Sequence, residues 1–480
     1  MNNKNRKLKK KYIYFFMEGS KNCSEDKYIK EYYGEFQDKA TDIGFRFISC
    51  GDGSWKNIEK EINKEKRNII DENIEIWCVL DKDKNDLDKI NIKIGECSQK
   101  NYENILTRKL NKKYKKSEGI KFTLDDKELI KEFDKVNLTL EFVKDFAFNL
   151  LLAKYFLDNF VIHHTNGEDR AIENPWKLQY FYKKGSKAAY LKDLYEDNKA
   201  QRNEVIQLLS MFEVAFTPKQ RKNYLFYCLY HLFEDCDLNS YVEFLRKLAD
   251  KYFFDVYLDA SKLNDINQPK PNSFDETIFN NGELNVELEE VNRDFNRIYP
   301  IGSCNIPLYV FNYTDYKLWK KYVVELRGNK AKKNSRNRID FFNSLGCSDF
   351  ELDAFNSFYF SRTRKSLEHY YPQAKAGDNM PISTQDINCY GNFAMIGSDA
   401  NSSGSNWNPI DKKNRYLDTK SNQVSVASLK FRIMLQICQD NYNNGIKDKE
   451  KERPFGLEWD VEDMVRHQKN MLEIIMNNSE

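Results

Sequence analysis

The sequence predicts a mixed architecture: an N-terminal α/β unit with a small parallel sheet, a mainly helical middle, and a C-terminal strand, loop, strand and helix. Three observations carry that expectation. Residues 12–90 alternate short apolar runs with amphipathic stretches, residues 138–254 space their apolar side chains three and four apart, and residues 358–401 hold two apolar runs divided by a polar loop. At 480 residues the chain has room for roughly three folding units on a prior of about 150 residues each. The composition shifts place them at 1–105, 135–295 and 296–480, with a basic linker at 106–134.

In chain order, YIYFFMEG, FRFISCG and IEIWCVLD read as strands separated by charged helices, a β-α-β-α-β pattern. Nearly continuous apolar strands are buried on both faces, which is how parallel sheets are built. Arg108 to Lys116 then carries six basic residues and no acid, suited to a linker or a phosphate-facing surface. The segments LEFVKDFAFNLLLAKYFLDNF, EVIQLLSMFEVAF, RKNYLFYCLYHLF and LNSYVEFLRKLADKYFF follow as helices, and their aromatic stripe is read as core rather than a base-stacking platform. Asn264 to Asn292, with Pro269 and Pro271, reads as a loop.

Composition narrows the function classes. Lys plus Arg number 76 against 74 Asp plus Glu, a net charge of +2, so the whole-chain balance selects no partner. The ten cysteines form no C-x2-C or C-x4-C pair, and neither a zinc ribbon nor a disulfide framework is predicted. The first apolar run is six residues long and ends at Glu18 without a small-residue cleavage site, unlike a signal peptide. No stretch approaches 18 uninterrupted apolar residues, so a membrane span is not expected and a cytoplasmic location is.

With five histidines, each can be weighed singly. His163 and His164 are adjacent and point apart on a helix, which disfavours a shared metal. His231 sits among apolar residues as a core histidine, and His467 reads as solvated on a charged terminal helix. His369 differs in its surroundings. The run FYFSRTRKSLEHYYPQ reads as a strand that stops at Pro372 and delivers Glu368 and His369 to its end. A second strand, GNFAMIG, contains Asn392. Ser398-Asp399 supply an N-cap for a short helix holding Asn401, with Asn406 and Asn408 as further oxygen donors. Asn392 lies 23 residues beyond His369, and Asn401 nine beyond that.

Strand, loop, strand, helix, with His ending the first strand and Asn in the second strand and in the helix, resembles the ββα-metal or HNH nucleases. A neutral imidazole takes a proton from water at physiological pH, the role this assigns to His369. A hard Mg²⁺ or Mn²⁺ ion offsets charge on the phosphate, with Glu368 and Asn401 as expected ligands. Asn392 is expected to hold the imidazole so that its unprotonated nitrogen faces the water. Together with LLSMFEVAFTPKQRKNYLFYCLYHLF, FNYTDYKLWKKY and SLKFRIML, the motif resembles the C-terminal portion of GmrSD-type restriction endonucleases over roughly residues 135 to 475. That resemblance implies metal-dependent cleavage of invading DNA. The D-G-Q-Q-R nucleotide motif of that family is missing here, so NTP hydrolysis and recognition of modified bases do not carry over.

The N-terminal unit resembles a Toprim fold of the RloB or OLD type, with Glu18 after the first strand and Asp81 and Asp83 after the third as its acidic metal positions. Carboxylates at the ends of adjacent parallel strands would converge on one sheet edge. Basic residues flank the C-terminal motif. Arg336 and Arg338 end a cluster that begins at Lys317, Arg362, Arg364 and Lys365 lead into His369, and Lys412 and Lys413 follow the second strand. These seven are the expected phosphate contacts. The function expected is DNA endonuclease. Two alternatives stand beside it: an RNA-cleaving toxin with the same site, and a Toprim-like sensor or docking protein whose nuclease is latent until a partner ATPase or a ligand engages.

Overall fold

The computed structural model describes residues 11–17, 43–49, 60, 74–79, 115–116, 133–164, 176–182, 190–216, 223–266, 268–270, 273–280, 283–298, 306–350, 353–397, 406–416 and 428–476. Two compact units emerge, one of residues 1–102 with 180–192 and one of residues 103–179 with 193–480. In the first, β1 (Lys11–Met17), β2 (Ile43–Ser49) and β3 (Ile74–Val79) pair in parallel in the order β2-β1-β3. Lys11 stands opposite Ile43, and Tyr12 opposite Ile74. The acidic positions Glu18, Asp81 and Asp83 lie outside the described residues.

The second unit is mainly helical. Its helices are α1 (Leu140–Phe160), α2 (Lys199–Ala215), α3 (Asn223–Glu234), α4 (Leu238–Lys251), α5 (Leu308–Trp319) and α6 (Arg336–Leu345). Caps visible in the sequence start several of them. Thr139 accepts from Phe142 N at 3.1 Å, Asp237 accepts from Asn239 N at 2.8 Å, and Ser335 accepts from Arg338 N. Helix α6 stops at Gly346, whose φ of 77° is left-handed, the conformation that glycine adopts without strain.

The expected boundary near residue 295 is not a break in packing. Helix α5 carries Tyr309, Tyr313 and Tyr316 into the core that α2 and α4 begin, and all three are buried. Tyr309 donates its hydroxyl to Ala249 O at 2.8 Å, and Tyr316 donates to the Glu204 carboxylate at 2.9 Å. Arg246 closes on the same carboxylate through Nε at 2.7 Å and Nη2 at 2.6 Å, so one buried anion ties three helices together. Phe216 stacks on Tyr309 at 5.5 Å and meets Tyr252 at 5.0 Å. The aromatic stripe is therefore core, with the hydroxyls of Tyr309, Tyr313 and Tyr316 discharged on a carbonyl and on carboxylates. The segment from Asn264 is less irregular than expected, since Ser273–Ile278 is helical and Phe279–Asn280 pairs with Glu283–Leu284.

His231 is held in the same core, stacked 4.3 Å from Phe244 and 6.1 Å from Tyr241. Burial pushes its pKa down to about 4, against a smaller upward pull from Asp235. A folded-state value below the unfolded one means stability is fully present above about 6.5 and is lost as pH falls through 4. A His231→Phe protein keeps the stack without the titration. Its melting temperature relative to the parent is expected to rise steadily between pH 6.5 and pH 4. A constant offset across that range would show that His231 does not charge on unfolding.

Candidate active site

Two short strands, β4 (Ser366–His369) and β5 (Phe393–Ile396), form an antiparallel hairpin that sets His369 opposite Phe393 and Glu368 opposite Ala394. Strand β4 is shorter than the sequence pattern suggests. At its start Ser361 and Thr363 hydrogen-bond each other and Thr363 N donates to Ser361 Oγ, a local turn that competes with a ladder. Around the hairpin lie α7 (Pro409–Tyr416), α8 (Leu429–Lys447, capped by Ser428) and α9 (Val461–Met476). The helix expected from Ser398 with Asn401 lies outside the described residues, and α7 is the helix seen after β5.

Two buried lysines bolt this hairpin in place. Lys412, on α7 and 0% exposed, pairs with the Glu368 carboxylate and donates to the carbonyls of His369 at 2.6 Å and Tyr370 at 3.1 Å. Burial lowers the Lys412 pKa and raises that of Glu368, while each ion draws the other toward its charged form. Lys430, on α8, donates to Tyr390 O at 2.9 Å and Phe393 O at 2.6 Å, gripping the other strand. Burial brings its pKa down to about 7. Beside it Asp315 accepts from Lys430 N at 3.0 Å, and burial raises its pKa to about 6.

The His369 imidazole is half-buried. Its ring lies 4.3 Å from that of Phe393, and its Nε2 is 2.8 Å from Asn388 Oδ1. Burial lowers its pKa, the Asn388 contact raises it, and the Lys412 ammonium lowers it further. A neutral imidazole with one nitrogen anchored can accept a proton at the other, the arrangement general-base chemistry requires.

Asn392 does not hold the imidazole. It is fully buried and spends all four of its hydrogen-bonding positions on structure. Its Oδ1 accepts from Tyr371 N at 2.8 Å and Trp459 Nε1 at 3.2 Å, and its Nδ2 donates to Tyr371 O and Ile387 O, both at 3.1 Å. The residue against the ring is Asn388, which the sequence reading missed. The only signal for it was an Asn immediately after a short stretch, Thr384–Ile387, capped by Ser383.

Glu368, expected as a metal ligand, is 3% exposed and faces Lys412 instead. Asn408 Oδ1 accepts from Lys375 Nζ at 2.6 Å. Among the described residues no group of three or more His, Cys, Asp or Glu gathers as a metal would require. The expected phosphate contacts also divide. Arg336, Arg362 and Lys365 are exposed. Arg338 is buried against Asp349 at 2.6 Å, Arg364 lies within 5.3 Å of the Phe358 and Phe360 rings with Asp315 at 3.7 Å, and Lys413 packs over Tyr442. With Lys412, these four are buried rather than presented to solvent. His467, expected in solvent, is fully buried beside Trp459, because α9 turns this face onto the hairpin.

That same close approach explains Gly391. A Cβ there would stand 1.9 Å from Met464 O on α9, and the Gly391 N–H donates to Gln468 Oε1 at 3.0 Å. Gly391→Ala must therefore push a helix backbone away, and is expected to cost about 3 kcal/mol in urea unfolding. A loss below about 0.5 kcal/mol, within surface-substitution scatter, would mean that α9 shifts freely.

Comparison with known protein families, with curated proteins and with solved structures returns no match. Among the described residues no helix is long and apolar enough to cross a membrane.

Proposed function

We propose that the second unit is an HNH-like endonuclease that hydrolyses phosphodiester bonds of DNA, with His369 as the general base, acting in the cytoplasm against invading DNA. The observation that carries this reading is a half-buried imidazole at the end of a short antiparallel hairpin, one nitrogen anchored and the backbone on either side pinned by Lys412 and Lys430. In the reaction, His369 takes a proton from water as the water oxygen attacks phosphorus. The Asn388 contact holds the ring and the buried lysines keep the strand ends from moving. Exposed Arg336, Arg362 and Lys365 are the cations left to meet the phosphate backbone.

Phosphodiester hydrolysis draws on a divalent cation, Mg²⁺ or Mn²⁺, which when bound offsets charge on the phosphate. The described oxygen donors do not assemble such a site, since Glu368 faces Lys412 and Asn408 faces Lys375. Of the other donors expected near His369, Asn406 is exposed and Asn401 lies outside the described residues. Labelled DNA and RNA of the same sequence, incubated with the full chain in Mg²⁺ or Mn²⁺ and in a chelator, test the reading. Metal-dependent cutting of DNA is expected. Cutting of RNA alone would move the protein to the toxin alternative, and cutting of neither would remove the assignment.

A further inference from the structure

We infer that Asn388 is the positioning residue of this site: its side-chain oxygen keeps the His369 proton on Nε2 and thereby makes Nδ1 the nitrogen that receives the proton from water. The inference deepens the nuclease reading and, for the role of Nδ1, rests on it.

Thr384 O lies 3.0 Å from Asn388 Nδ2, and a carbonyl oxygen only accepts, so the amide nitrogen must face it. Rotating the amide by half a turn would set two acceptors against each other. The orientation of Asn388 is thus fixed by this contact, and its Oδ1 must be the atom 2.8 Å from His369 Nε2. An amide oxygen carries no hydrogen. The proton in that contact therefore belongs to the imidazole, and Nε2 is protonated in the neutral ring as well as in the charged one. The lone pair of the neutral ring is on Nδ1, and among the described residues no hydrogen bond occupies that nitrogen.

Asn388 is itself held from both sides. Ser383 Oγ accepts from Asp386 N at 3.0 Å, capping the turn that presents Thr384, and Asn392 Nδ2 donates to Ile387 O, the carbonyl immediately before Asn388. The buried Asn392 therefore acts on the imidazole at one remove, by fixing the backbone that carries Asn388. The Phe393 ring and the paired strand hold the other side. During hydrolysis the water oxygen bonds to phosphorus, its proton passes to Nδ1, and the bond from phosphorus to the departing oxygen breaks with its electron pair leaving on that oxygen.

The test uses the full chain labelled with ¹⁵N-histidine. There are five histidines, and the His369 signals are identified by their loss in His369→Gln. Long-range ¹H–¹⁵N correlation is expected to show a protonated Nε2 and an unprotonated Nδ1 in the parent. Asn388→Leu is expected to populate both tautomers and to slow DNA cleavage on the order of 10- to 100-fold, while Asn388→Asp, which keeps an acceptor oxygen, retains the parent tautomer. A protonated Nδ1 in the neutral parent ring, or an Asn388→Leu protein with an unchanged tautomer, overturns the inference. The tautomer is read without any substrate. A parent that shows the expected tautomer and cuts neither DNA nor RNA counts against the nuclease reading alone.

Discussion

Replacing Lys412 by Met is expected to destabilise the second unit by about 3–5 kcal/mol, because it leaves the Glu368 carboxylate buried with no counter-ion. The ammonium also satisfies the carbonyls of His369 and Tyr370, so the end of β4 loses its tie to α7. The loss should depend on pH in a definite sense. Without Lys412 the folded-state pKa of Glu368, already raised by burial, rises further above the unfolded value of about 4.3. A raised folded-state pKa gives stability that is fully present below the unfolded value and is lost as pH rises through the folded one. The variant should therefore lie nearest the parent in acid and furthest from it at neutral pH. Glu368→Gln in the same chain removes the charge that Met cannot neutralise and should recover much of the loss. Urea unfolding at two pH values checks both statements. A loss under about 1 kcal/mol at pH 7, the range of an exposed pair, would show that the ion pair is not the latch.

How much of this was legible in the sequence varies with the kind of signal. Apolar spacing is local, and the helices it predicts between residues 138 and 254 form. The cap read at Ser398-Asp399 lies outside the described residues, and the caps seen, Thr139, Asp237, Ser335 and Ser428, are of the usual types. The hairpin was legible too, since Glu368, His369, Gly391 and Asn392 lie on it or beside it. What the spacing could not tell was which of two asparagines four residues apart would meet the ring. Asn392 has the place beside a strand, yet it pairs with the backbone of residue 371 and leaves the imidazole to Asn388.

Charge was the least legible property. A run of lysines and arginines reads the same whether it faces water or the core, because one long side chain can carry its charge to a buried carboxylate or to a pair of carbonyls. Helical spacing held a partial clue, as Ile410, Lys413 and Tyr416 recur every three residues and all are buried. Arg364 sits among aromatics in sequence and among aromatic rings in space. Lys430 stands within an apolar run, and its grip on β5 is a tertiary contact that no local pattern announces.

His369→Ala is expected to lower the rate of DNA cleavage about 10²- to 10⁴-fold, the usual contribution of a positioned general base. The change should leave folding nearly intact. The imidazole is half-buried and, among the described residues, its side chain hydrogen-bonds only Asn388 and packs on the Phe393 ring, whereas the strand is held through backbone carbonyls and buried lysines that the substitution does not touch. A thermal melt within a few degrees of the parent then separates lost chemistry from lost structure. The measurement that bears most directly on the account is the first-order rate of cleavage of an end-labelled DNA duplex in Mg²⁺, taken on parent and His369→Ala proteins of matched stability. The account expects the parent to cut and the variant to fall by at least about a hundredfold. Equal rates in the two proteins would contradict it.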